Sequence, residues 1–303
     1  TGGCNIAIGK EAGKNVTSGT KNIFIGLYAG GNAAINAYNV IAMGEHAGYN
    51  IQNGNGNILL GEKTGCTLVG GIDNVFVGKR SGSNATGNGG IFIGRYAAHR
   101  RSSGNCNIAI GPNALCGSST ASSNTSGCNI AIGMEAGQAN TTGGCNIYMG
   151  KGTGYSGTTA HSNTILGMYA GFDNVSGNHN TIVGYNAGCD VTSGYNTLFG
   201  ASAGHNITSG QTNVVIGYNV GVPSATGTQQ LVIGRSSSCW IVGDSSNNVC
   251  FANGSSIKAM GSGGVFCATE FVGGGSGLTG VPGFSPDSQD NLYAGTDAGN
   301  ASD

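Results

Sequence analysis

Apolar and polar positions along most of the chain fall into one recurring phrase: Asn, three apolar residues, then Gly. It reads Asn-Ile-Ala-Ile-Gly at 5–9, Asn-Ile-Phe-Ile-Gly at 22–26, Asn-Ile-Leu-Leu-Gly at 57–61 and Asn-Val-Phe-Val-Gly at 74–78. Asn-Ile-Ala-Ile-Gly then returns at 107–111 and at 129–133. The closing glycines, from Gly9 to Gly234, follow one another at 17 residues with slips of one, apart from a step of 22 between Gly111 and Gly133. A fixed period of this length is the signature of a repeat architecture.

Each phrase predicts a short strand, in which the residues three and one before the Gly share one face and the residue between them takes the other. In the first repeat these are Ile6 and Ile8 against Ala7. The middle residue is itself apolar in later repeats, as at Phe24, Leu59, Phe76, Phe92, Tyr148, Ile165, Ile182, Leu198 and Val215. Thr164, Thr181 and Thr197 lighten the flanking face where the middle residue is bulky. A strand apolar on both faces is expected to be covered on both.

After the strand, Ala-Gly stands three and four residues beyond the closing Gly, as at Ala12-Gly13, Ala29-Gly30 and Ala187-Gly188. A second corner follows, of the type Asn15-Val16-Thr17-Ser18-Gly19 and Asn206-Ile207-Thr208-Ser209-Gly210, built from residues that turns require. The expected fold is therefore all-β: a β-solenoid (β-helix or β-roll) of about 14 coils of about 17 residues. Stacked at about 4.8 Å, it makes a rod on the order of 65 Å long. Seventeen residues give a perimeter of at most about 56 Å, so the interior holds one thin apolar layer. The other face needs a partner, and identical chains around an axis supply it, hence an intertwined or side-by-side homotrimer. On this reading Phe24, Phe76 and Phe92 are the side chains a single chain would struggle to cover.

Three regions are expected. Residues 1–234 form the solenoid shaft. Residues 235–290, with the lone Trp240 and the run Gly273–Gly275, form a β-rich neck or linker. Residues 291–303, where Asn291-Leu292-Tyr293-Ala294-Gly295 echoes the repeat, begin a further repeat region. The start in mid-repeat at Thr1 suggests a piece of a longer fibre, and no capping segment is legible at either terminus.

Composition narrows the function. Sixty of 303 residues are Gly, only 8% are charged and the net charge is -1. That balance offers nothing to nucleic acid or an anionic membrane, and no apolar run of 18 residues is present to cross a bilayer. The few charged and aromatic side chains gather in the two positions after the closing Gly. Tyr28, Glu62, Lys63, Lys79, Arg80, Arg95, Tyr96, Tyr169, Tyr185 and Tyr218 form this ridge, read as a solvated edge and as a candidate surface-contact ridge.

Catalysis is not expected. Two facing carboxylates for glycoside hydrolysis are matched only by Glu45 and Glu62 in consecutive repeats, which belong to the charged edge. His46, His99, His161, His179 and His205 have no nucleophile at a telling spacing. No cofactor is expected, and no Cys-x₂-Cys pair or His cluster points to a metal. Cys106, Cys128 and Cys145 stand five residues before consecutive closing glycines, as does Cys4, and should stack. Parallel stacked side chains are poorly placed to bridge, so they read as small apolar residues. Asn-x-Ser/Thr at Asn15, Asn84, Asn124, Asn140, Asn174, Asn206, Asn253 and Asn300 reads as the corner of the repeat rather than as glycan acceptors.

The coil over residues 3–234 resembles the β-roll of trimeric autotransporter adhesin heads and, more closely, the Gly/Asn-rich repeats of phage tail fibres of the marine and cyanophage type. The segment 268–282, Ala-Thr-Glu-Phe-Val-Gly-Gly-Gly-Ser-Gly-Leu-Thr-Gly-Val-Pro, is similar to a linker of such fibres. The resemblance implies a structural extracellular fibre on a virion surface, used in host attachment and meeting a cell-surface glycan or receptor. A bacterial trimeric surface adhesin and a self-assembling extracellular filament are the alternatives.

Overall fold

The computed structural model describes residues 2–101, 103–117, 124–246 and 248–251, and the backbone of 284–286 and 292–294. Among the described residues there is no helix. Each phrase forms a short strand, three residues long in the first twelve and five in the last two: β1 (Ile6–Ile8), β2 (Ile23–Ile25), β3 (Ile41–Met43), β4 (Ile58–Leu60), β5 (Val75–Val77), β6 (Ile91–Ile93) and β7 (Ile108–Ile110). The series continues with β8 (Ile130–Ile132), β9 (Ile147–Met149), β10 (Thr164–Leu166), β11 (Thr181–Val183), β12 (Thr197–Phe199), β13 (Val214–Tyr218) and β14 (Leu231–Arg235). They pair parallel in sequence order and in strict register, Ile6 with Ile23 and Ala7 with Phe24, onward to Val215 with Val232. The result is a β-solenoid of about 13 turns of roughly 17 residues between fourteen strands.

The parallel stack stops at β14. Beyond a bulge at Ile233/Gly234, β15 (Ser238–Gly243) turns back antiparallel on it, and β16 (Val249–Phe251) pairs antiparallel with β15. This pair covers the edge of β14, a cap that the sequence did not reveal. Residues 256–303 form a separate unit, in which β17 (Phe284–Pro286) pairs antiparallel with β18 (Leu292–Ala294). The linker at 268–282 lies outside the described residues, as does the expected restart of the repeat, except for β18.

The interior is set by the middle residue of each strand, which corrects the expected assignment of faces. Phe24, Leu59, Phe76, Ile165, Ile182 and Leu198 are fully buried inside the coil, and no partner is needed to cover them. Small and large residues alternate over the first four strands of this column. Phe24 lies between Ala7 and Ala42 in the ladder, while Phe76 and Phe92 stack with centroids 4.5 Å apart. A second column comes from the first corner, with Ala29, Ala47, Ala97, Ala136, Ala170, Ala187 and Ala203 all buried. Where that column turns polar it is satisfied internally: Thr64 and Thr153 donate to the carbonyls of Gly78 and Gly167, both at 2.7 Å.

A third column, from the second corner, changes character along the stack. Ile35, Ile51, Leu68 and Ala85 give way to Arg101, Asn124, Asn140 and Asn174, and then to Val191 and Ile207, all buried. Arg101 extends along the inside of the coil. Its Nη1 donates to the Ser126 carbonyl (3.0 Å) and hydroxyl, and its Nη2 to the Asn140 carbonyl (3.3 Å) and Oδ1 (3.2 Å). Burial pulls this guanidinium down to about 10. Asn124, Asn140 and Asn174, three of the Asn-x-Ser/Thr positions, are thus interior corner residues.

The closing glycines are required by contact as well as conformation. Gly150 has φ of 132°, and a Cβ there would lie 2.7 Å from the carbonyl carbon and oxygen of Gly167 in the next coil. Only a residue without a side chain lets successive corners stack at sheet spacing.

Candidate functional site

The Asn that opens each phrase supports the strand beside it. Its Oδ1 accepts the backbone N–H of the equivalent residue one coil on: Asn5 from Asn22 (2.9 Å), Asn129 from Asn146 (3.0 Å), Asn196 from Asn213 (3.0 Å). Its Nδ2 donates across the coil to a corner carbonyl, as Asn146 does to Ala160 (2.7 Å) and Asn163 to Gly177 (2.9 Å). Asn22, Asn57, Asn107, Asn129, Asn146 and Asn196 are fully buried. An amide is needed because the position must accept and donate at once. The sequence reading gave this ladder no role. The signal was there in eleven repeats of fourteen, with Val40, Gly90 and Gln230 as the exceptions.

The expected ridge resolves into two columns. Glu62, Lys79, Arg95, Tyr185 and Tyr218 stand one residue after the closing Gly. Tyr28, Lys63, Arg80, Tyr96 and Tyr169 stand two after it, in left-handed conformation with φ between 55° and 60°. The second column is half-buried rather than a free solvent edge. Its backbone N–H groups bond to the preceding coil, Lys63 to the Glu45 carbonyl and Arg80 to that of Glu62, both at 2.8 Å.

The side chains of the ridge largely engage one another. Lys79 Nζ meets Glu62 Oε2 at 2.8 Å, and that hydrogen bond holds the Glu62 carboxyl below its usual range. Glu45 Oε1 lies 3.3 Å from His46 Nδ1. The two carboxylates singled out for a hydrolase therefore each face a neighbouring base. Arg95 lies 5.3 Å over the Tyr96 ring and Lys151 5.5 Å over that of Tyr169. Tyr28 stacks on His46 at 5.1 Å. Tyr185 and Tyr218 are open, at 53% and 61% exposed.

Cys4, Cys106, Cys128 and Cys145 do share one register position, but they are exposed and free, which corrects their reading as apolar filler. The reason is conformational. All four are left-handed, φ between 58° and 60°, at the corner entering the strand, which turns the side chain away from the interior. Cys116 is the buried thiol, and its pKa is raised by desolvation. Among the described residues no group of three or more His, Cys, Asp or Glu side chains is placed to hold a metal ion.

Clefts open on the solenoid at its C-terminal end and at its second corner. One of about 570 Å³ lies at the β14–β15 end, lined by His205, Asn219, Val222, Pro223, Val232 and Cys239 among others. The other, of about 360 Å³, lies on the second corner between β10 and β13.

The outer sheet face is continuous along the stack. The outward pair of every strand, from Ile6 and Ile8 to Leu231 and Ile233, contains no charged residue. Ile8 is 58% exposed and Phe199 57%, and Met43, Ile91, Ile93 and Met149 are close to 40%.

No family model matches the chain, and neither a curated protein nor a solved structure matches it. The class of protein therefore rests on the fold itself: a β-solenoid repeat protein.

Proposed function

We propose that this chain is part of a structural, non-catalytic shaft of an extracellular fibre, a viral (phage) tail fibre used in host attachment. Three identical chains run side by side. The observation that carries this reading is the uncharged outer sheet face. Its two columns of part-exposed, largely apolar side chains run the length of the stack, and a continuous apolar face of this kind marks a protein–protein contact. Three such faces turned toward one axis close on themselves, which identical copies favour.

A bacterial trimeric surface adhesin would use the same geometry. A head-to-tail filament of this segment is less well supported, because β15 and β16 turn antiparallel and break the parallel stack beyond β14.

Light scattering on the purified chain at several concentrations tests the assembly. A mass of three chains, constant with dilution, is expected; a single-chain mass would remove the argument. Gold-labelled antibody against residues 3–234 tests the location, with label expected along virion appendages and its confinement to cell surfaces favouring the adhesin.

A further inference from the structure

The shaft changes chemistry after Lys151. Residues 152–234 contain no Lys or Arg, and their only carboxylates are Asp173 and Asp190. The cleft of about 360 Å³ lies within this stretch and has no charged residue in its lining, which includes Ser176, Asn178, Thr192, Tyr195, Ser209 and Gln211. Ser176, Thr192, Tyr195, Ser209 and Gln211 are exposed, so they stand open to an incoming molecule.

One wall is aromatic. Tyr195 is 58% exposed and stacks on His179 with centroids 5.1 Å apart and planes at 26°. Its backbone is fixed at φ of 62°, and its N–H donates to the Asn178 carbonyl at 2.8 Å. The ring is therefore presented outward by the coil and not by a free loop. Around it, hydrogen-bonding capacity is unspent. Among the described residues the side chains of Ser176, Ser209 and Gln211 and the Nδ2 of Asn178 make no hydrogen bond, although Asn178 Oδ1 accepts from His161.

The same corner near the N-terminus differs. There Thr17 and Ser18 both donate to Asn36 Oδ1, at 2.8 and 2.7 Å, and Asn36 donates on to Asn53 at 3.4 Å. The donors and acceptors at the N-terminal corner are thus spent on one another, whereas those between β10 and β13 stay open.

An exposed Tyr face beside hydroxyl and amide groups, without a charge, matches one ligand chemistry closely. A pyranose offers an apolar C–H face to the ring and a rim of hydroxyls to the polar groups. An anionic polymer would find no cation to pair with. We propose that this corner groove binds a neutral oligosaccharide chain, with Tyr195 as its stacking platform. The groove lies off the outer sheet face, so the inference stands apart from the assembly and location of the shaft.

Saturation-transfer NMR on the full chain tests it, with maltohexaose, laminarihexaose and mannohexaose as neutral probes and oligogalacturonate as the charged one. Transfer to at least one neutral hexasaccharide is expected. It should weaken by about tenfold in Tyr195→Gly, fall in Gln211→Ala, and stay unchanged in Tyr38→Ser, an exposed tyrosine outside the groove. Glycine suits the left-handed position, so Tyr195→Gly keeps the coil. No transfer to any neutral probe, equal transfer to oligogalacturonate, or binding insensitive to both groove substitutions would overturn the proposal.

Discussion

Asn163 bonds twice to Asn146 one coil away: its backbone N–H and its Nδ2 both donate to the same Oδ1, at 2.9 and 3.0 Å. Asn163 then offers its own Oδ1 to the N–H of Asn180 at 2.8 Å. Stacked amides of this kind tie successive coils together in a buried interior, where each lost partner leaves a polar group unpaired.

Asn163→Ala should therefore cost about 2–4 kcal/mol, since the buried N–H of Asn180 and carbonyl of Gly177 each lose a partner. Urea unfolding of parent and variant measures it. A change below about 0.5 kcal/mol would mean that the ladder contributes little beyond the sheet itself.

Gly150→Ala should be worse than any surface substitution. The added Cβ meets the carbonyl of Gly167 at 2.7 Å, at a φ that only glycine adopts without strain. Loss of more than about 3 kcal/mol, or failure to fold, is expected. Lys151→Ala next to it serves as the control, with little change in melting temperature.

Arg101→Met should stabilise the shaft by about 1–2 kcal/mol, because a buried cation is replaced by an apolar chain of similar reach. The acceptors left behind largely keep partners: Asn107 Nδ2 still bonds the Ser126 carbonyl, and Ser126 Oγ still bonds Asn140 Oδ1. The pH dependence has a definite sign. Burial lowers the guanidinium to about 10 in the fold, so the unfolded chain binds its proton more tightly. The penalty is present in full below pH 10 and fades as pH rises above it. Melting curves at pH 7 and pH 10.5 should show the advantage of the Met variant narrowing.

Ile93→Lys with Ile110→Lys should split the proposed assembly into single chains while leaving the far-ultraviolet circular dichroism unchanged. Both residues are outward neighbours on β6 and β7. Ala109→Lys, which aims a charge into the fully buried interior of the same strand, should unfold the coil instead. If the outward pair leaves the mass unchanged, the sheet face is not the contact.

Thiol labelling reads the corner geometry. Cys4, Cys106, Cys128 and Cys145 should react with a maleimide in the folded protein, whereas Cys116 should wait for denaturant. Protection of Cys128 and Cys145 in the folded state would contradict their exposed left-handed corner.

The repeat itself determined the strands, the corners, the coil length and the place where parallel stacking stops, because each follows from spacing and turn chemistry within one coil. Only the tertiary structure decided which way the strand faces. Ile23, Phe24 and Ile25 are all apolar, so alternation alone cannot mark the inside; the left-handed corners on either side, at Lys21 and Tyr28, settle it by turning Phe24 inward. The same holds for Cys128, whose exposure follows from the φ at its corner and not from its residue type. Arg101 lay beyond reach of the sequence for another reason: its acceptors, Ser126 and Asn140, come from the next two coils. The groove beside Tyr195 likewise gathers Ser176 and Gln211 from separate turns. Contacts made by stacking depend on which side of the chain meets which, and that is a property of the closed coil.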